Sequence, residues 1–377
     1  MKTPETSRLF EKRIDPVSGV AHYLLKHKIT KYQQGFYFCN DSMTKDGRYL
    51  WFGVRMQHDS HCLLGVIDFE EDDMYFMVDT LSDYASPYVD VETGDAYFTC
   101  GRNIYRRSPK KDAETELVFT LKTKQPVRSI ATHLTRTADK KEFFLDVLEG
   151  NDTSYVGTVN LETGEFTKWA DNPFPTNHGQ INPVNPNISL CAYDNYSNIV
   201  TGEGHTIPYD ENGNYLRLWT IERNGTRKTY PPRDGFATHE FWSADGKKIY
   251  YCDCWRGLNR INIETGEHIQ RHACRSWHAF VSRDEKYLVY DYKCTTEEDF
   301  YRGGPAGVAF VNTETGKEIA IATALPPTGT REKPFGYHPD PHPRFVCDEK
   351  YILYTTSEGG GLDIALAVTA DLIEKTR

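Results

Sequence analysis

The sequence predicts an all-β protein, a seven-bladed β-propeller of four-stranded antiparallel blades forming a single domain over residues 1–377. Three observations predict it. A turn of Asp-Gly or Asp-Glu type followed by a short β-rich strand opens repeatedly, at spacings of roughly 40–65 residues that suit propeller blades. The tripeptide Glu-Thr-Gly returns at Glu162, Glu264 and Glu314, each time after an alternating apolar strand, and its Gly supplies the positive φ of a tight hairpin turn. No helical periodicity of any length competes, apart from the closing stretch around DLIEKTR.

In chain order the openings are KDGRYLWFGV from Lys45, VETGDAYFTC from Val91, ADKKEFFLDV from Ala138, NPNISLCAYD from Asn185, ADGKKIYYCD from Ala244, RDEKYLVYDY from Arg283 and CDEKYILYTT from Cys347. Those at Val91 and Asn185 are less regular. The segment Val20–Phe38 precedes the first opening, and part of it is expected to pair with the last blade, because an open ring would leave two raw sheet edges. The insertions Tyr196–Gly213 and Thr295–Gly304 fall between strands and are expected to decorate one face.

A net charge of −10 argues against a nucleic-acid surface, which needs a clustered basic face. It leaves room for an anionic small substrate held by a few local cations. The opening MKTPETSRLFEKR is charged throughout, so neither a secretory signal nor a membrane span is expected. Nine cysteines, an odd number with no CxxC pair, favour free thiols in a reducing compartment, with the cytoplasm as the default. No nucleic-acid or membrane partner is expected; oligomeric state is not legible.

Histidine recurs in register with the repeat. His133, His239, His278 and His342 each precede a turn aspartate by the same interval (Asp139, Asp245, Asp284 and Asp348), and His178 keeps its distance to the strand at Ile188 with Val184 in the Asp place. Asn40 stands there in the first copy. Equivalent positions in a circular repeat converge on its axis, so these imidazoles are expected to face one another across a channel mouth. A shared turn signature is the competing explanation, but histidine is a poor choice for a mere turn. Around His342 the stretch GYHPDPHP adds Tyr337, His338 and Asp340. Imidazoles with a carboxylate suit Mn, Fe, Ni or Zn rather than Ca or Mg. Arg55, Arg128, His58 and His61 are weaker candidates for saccharide contacts. Trp242, Trp255, Trp277 and Tyr337 could offer sugar platforms, although most such rings pack between blades.

The stretches THEFWSADG at Thr238, WHAFVSRDE at Trp277, DPHPRFVCDEKYILYTTSEGG at Asp340 and the RLW containing Arg217 resemble the oligogalacturonate lyases, over roughly residues 177–361. The resemblance implies cytoplasmic cleavage of short galacturonate chains by β-elimination with a bound divalent metal, usually manganese. Position by position it implies His239 as Brønsted base, Arg217 as the cation holding the substrate carboxylate, and His278 and His342 as metal ligands. The family's His-Pro-His-Pro reads Asp340-Pro341-His342-Pro343 here, and its glutamine is replaced by Tyr337. Asp340 can still bind through oxygen, and His338 is placed to supply the missing imidazole. His178, His133 and Tyr337 are left as candidate contacts to the sugar. Two other readings stay open: a propeller lyase for another acidic sugar, and a non-catalytic binding propeller. A serine-peptidase propeller is not expected, because no nucleophile-elbow domain follows the repeats.

Overall fold

The computed structural model describes residues 1–55, 62–83, 87–150, 153–193, 196–197, 204–205, 211, 216–232, 237–294, 305–328 and 339–377. Seven antiparallel blades follow one another around a ring; six take their strands in chain order from the axis outward, and the seventh combines strands from both ends of the chain. Blade 4, for example, is Thr176–Ile181, Ile188–Tyr193, Leu218–Glu222 and Arg227–Tyr230. Each predicted opening lies at the second strand of its blade, from Tyr49–Arg55 in blade 1 to Tyr351–Thr356 in blade 7.

The repeat has a side-chain cause. In four of the turns a hydroxyl donates to the turn aspartate at 2.6–2.7 Å: Thr44 to Asp46, Thr137 to Asp139, Ser243 to Asp245 and Ser282 to Asp284. The same carboxylate accepts the backbone N–H two residues further on. The intervening residue is left-handed, with φ of 81° at Gly47 and 68° at Gly246. Such Asx and ST turns hold the hairpin independently of core packing. They therefore fix the register between the innermost strand and its neighbour.

The ring closes as expected, and further than expected. Ala21–Leu25 pairs with Asp363–Val368 and completes blade 7 around Arg344–Val346 and Tyr351–Thr356. Phe10–Ile14 then adds a fifth, outer strand to the same sheet, paired Phe10↔Leu25 through Ile14↔Ala21. Binding the N-terminal segment to the C-terminal blade removes both raw edges. A short helix, Thr369–Lys375, ends the chain. Most of both long insertions lies outside the described residues, as do His58 and His61. All nine cysteines are free thiols. No helix of the described residues is long and apolar enough to cross a membrane.

On the axis Phe38 packs edge-on against Phe241 (5.8 Å between ring centroids), Phe241 stacks on Phe280 (4.9 Å), and the Arg344 guanidinium lies 5.1 Å over the Phe280 ring. Phe241, Phe280 and Arg344 each lie two residues beyond a register histidine, where regular pairing with the second strand holds (Phe241↔Tyr250, Phe280↔Val289, Arg344↔Leu353). An aromatic layer thus backs the histidines.

Candidate active site

The histidines reach the axis because the innermost strands break pattern where they stand. Pairing with the second strand slips between Asn177 and Gln180, between Thr238 and Phe241, and between Ser276 and Ala279. Each slip sets two residues against one, a β-bulge that re-aims side chains. The bulged pairs are His178-Gly179, His239-Glu240 and Trp277-His278. His178, His239 and His342 sit at φ of 55°, 52° and 48°. A left-handed conformation costs a bulky residue about 1–3 kcal/mol and persists only where surrounding structure imposes it. Three costly backbones at equivalent places speak for a site over a turn signature.

The imidazoles converge, but on a side chain rather than on an open channel mouth. Tyr37 stands at their centre. Its ring stacks on His133 at 4.5 Å and 10°, and lies 4.9 Å from His342, 5.7 Å from His178, 5.9 Å from His278 and 6.4 Å from His239. Tyr37 stands outside the histidine register, in the irregular segment between blade 1's first and second strands. Asn40, in the histidine place of blade 1, donates through Nδ2 to Pro87 O at 3.0 Å and to Leu134 O at 3.4 Å, tying blade 1 to blades 2 and 3.

The ring has two halves. In the first, His278 lies between His239 and His342, at centroid distances of 4.1 and 4.2 Å. His278 Nδ1–H donates to Asp291 Oδ2 at 2.7 Å, and Asp291 Oδ1 also accepts the His278 backbone N–H. The carboxylate therefore fixes the tautomer with its lone pair on Nε2, the arrangement of a metal-ligating histidine. That Nε2 is fully buried with no hydrogen-bond partner among the described residues. Donor atoms of His278, Asp340 and His342 all lie within 4.8 Å of one another. Two imidazoles and a carboxylate, one nitrogen left unsatisfied by protein, fit a divalent transition metal. His239 Nδ1–H donates to Trp277 O, which points its Nε2 lone pair elsewhere.

In the second half His133 and His178 lie 4.7 Å apart. His178 Nδ1–H donates to Glu240 Oε1 at 2.9 Å, and the other oxygen of Glu240 accepts from Arg217 at 2.5 Å. Burial pushes the Glu240 carboxyl up, but Arg217 and His178 outweigh it and hold it at about 2. This carboxylate was not singled out in the sequence, although THEFW contains it. Arg217 is only 4% exposed and one of its nitrogens is committed to Glu240.

Replacing Glu240 by glutamine is expected to destabilise the protein by about 3 kcal/mol at neutral pH, the size of a carboxyl shift from its ordinary 4.5 to about 2 in a fully buried group. A lowered carboxyl pKa contributes stability above its unfolded value and loses it as pH falls through the folded value. The gap between wild type and Glu240→Gln in denaturant titrations should therefore close between about pH 4.5 and pH 2. A gap unchanged over that range would show that the charge contributes nothing.

No protein-family model matches the chain, and no curated protein matches it in sequence. Solved structures do. An oligogalacturonate lyase in complex with manganese superposes with a TM-score of 0.74 at 18% identity, covering 98% of each chain. An oligogalacturonate lyase from Vibrio parahaemolyticus gives 0.73 at 16%, over 95% of this chain and 96% of that one. A prolyl endopeptidase gives 0.51 at 13%, over 93% of this chain but only 49% of its own. The chain has the propeller fold of the oligogalacturonate lyases.

Against that fold, the structure brings together His239, His278, Asp340 and His342 around one side of Tyr37, and His133, His178 and Arg217 with Glu240 on the other. His338 and Tyr337 lie outside the described residues. Arg55 is buried beside Gln34. Trp242 is packing, its indole N–H donating to Gln180 O. Trp277 stands next to His239, 6.1 Å between rings, with the Lys293 ammonium 4.5 Å over its own ring. Trp255 is 49% exposed, with Arg275 5.2 Å over it. Of the candidate indoles these two are not buried, and each has a cation over its ring.

Proposed function

We propose that the chain is a divalent-metal-dependent lyase that cleaves an oligogalacturonide or a closely related acidic oligosaccharide by β-elimination. The observation that carries this reading is the His278 Nε2: buried, its tautomer fixed by Asp291, and converging with Asp340 and His342 beside the imidazole of His239. The fold shared with two oligogalacturonate lyases supports it.

His278, Asp340 and His342 would hold the cation, manganese by analogy with the complexed relative and zinc, iron or nickel by donor chemistry. When bound, it supplies Lewis-acid charge to a substrate carboxylate, which lowers the cost of removing a weakly acidic neighbouring proton. The residues do the rest. His239, its Nδ1–H held by the Trp277 carbonyl, presents Nε2 as the base for the C5 proton. Arg217, fixed by Glu240, contributes the planar cation for a sugar carboxylate. The Tyr37 ring and the aromatic layer behind it keep water from the rear of the site, where electrostatic contacts strengthen. We place the activity in the cytoplasm.

Asp340, which stands where the motif of the family resembled in sequence has histidine, favours a related uronide as the second reading. Incubating the protein with galacturonate, guluronate and glucuronate oligomers and following the ultraviolet absorbance of the unsaturated product separates the two. Product from galacturonate supports the first reading, and product from another uronide alone supports the second. No product from any uronide overturns both.

A further inference from the structure

Elimination needs two proton transfers, and one histidine cannot make both. In a galacturonate ring the C5–H and C4–O4 bonds are both axial and point to opposite faces. The group that removes the C5 proton is therefore on the wrong side to protonate the departing oxygen. On the reading above His239 is the base, so the acid has to come from elsewhere in the ring.

We propose that His178 is that acid. Its imidazole is paired through Nδ1–H with the ionised Glu240, which leaves Nε2 as the proton-transfer nitrogen and stabilises positive charge on the ring, as the carboxylate of a catalytic triad does for its histidine. Its backbone is held left-handed at φ 55° in a bulge matching that of His239. Glu240, its partner, immediately follows His239, so the bulge that carries the base also carries the carboxylate that holds the acid. The groups facing His178 are Glu240, His133, Tyr37 and Asp146, whose carboxylate accepts the adjoining Gly179 N–H; Arg217 reaches it through Glu240. Its side chain is 16% exposed against 0% for His278, so solvent can return the proton between turnovers.

The step balances. The C5–H electron pair becomes the second C4–C5 bond as His239 takes the proton. The C4–O4 bond breaks with its pair on oxygen, and His178 Nε2 delivers the proton that makes that oxygen a hydroxyl. Both histidines then reset by exchange with water.

The test compares wild type with His178→Gln, which cannot transfer a proton but keeps a donor toward Glu240. The substrates are trigalacturonate and a methyl galacturonide carrying fluoride at C4, a leaving group that departs with little need of an acid. His178→Gln should lose about 10²–10⁴-fold in kcat on trigalacturonate, and less than about 10-fold on the fluoride, with KM little changed. Equal losses on both substrates, or none on either, would overturn the assignment while leaving the lyase reading intact. A wild type inactive on both would overturn the galacturonide reading and, with it, this assignment. Should wild type act only on trigalacturonate, the alkaline limb of its kcat–pH profile decides: its loss in His178→Gln supports the acid role and its persistence refutes it.

Discussion

His239→Ala is expected to lower turnover by about 10²–10⁴-fold, the contribution of a positioned general base, while leaving metal content unchanged. The reason is geometric. His239 contacts the His278 ring at 4.1 Å, yet its Nδ1–H is bound to the Trp277 carbonyl and it does not join the His278, Asp340 and His342 donor set. Removing it deletes a proton acceptor from a site whose cation ligands all remain. Alanine meets the same left-handed φ of 52°, so the variant keeps the backbone cost that His239 already carries, and a His239→Gly variant supplies the control free of it. The readouts are kcat and metal stoichiometry on the same sample. Full activity with metal in place would remove His239 from the chemistry. Loss of metal alongside activity would make it a ligand instead.

His342→Ala should fail differently. His342 is one of three side chains whose donor atoms converge, and it stands at φ 48° with its ring 4.2 Å from His278. Even outer partners of metal ligands carry about 10–100-fold in affinity, so deleting a direct donor should exceed that and leave the purified variant without metal. Activity should be lost with it, and be partly recovered at high added metal. A variant that kept stoichiometric metal would show that His342 is not a ligand.

The fold was legible because each turn advertises its own chemistry. The hydroxyl–aspartate–N–H arrangement at Asp46, Asp139, Asp245 and Asp284 is local, so the residues that make it lie side by side in the sequence. Phe10–Ile14 was missed for the opposite reason. FEKRI is charged and mostly exposed, so nothing in its pattern marks a strand, and its partner is set by the ring closing. In the site, the histidine register survived because a fixed interval to a fixed turn places each imidazole at the axis. Tyr37 and Asp291 carry no such interval: one comes from an irregular segment, and the other reaches His278 from the next strand of its blade. The expectation of a channel mouth failed with Tyr37, since symmetry among blades says nothing of a side chain sent into the axis from between them.

The central claim is that His278, Asp340 and His342 hold a divalent cation on which uronate elimination depends. Elemental analysis of the purified protein, paired with a product-absorbance assay on oligogalacturonide before and after chelation, tests it most directly. A stoichiometric divalent transition metal, activity lost on chelation and activity restored by re-addition are the predicted results. A protein that carries no such metal, or that cleaves equally well after the metal has been stripped, would contradict the claim.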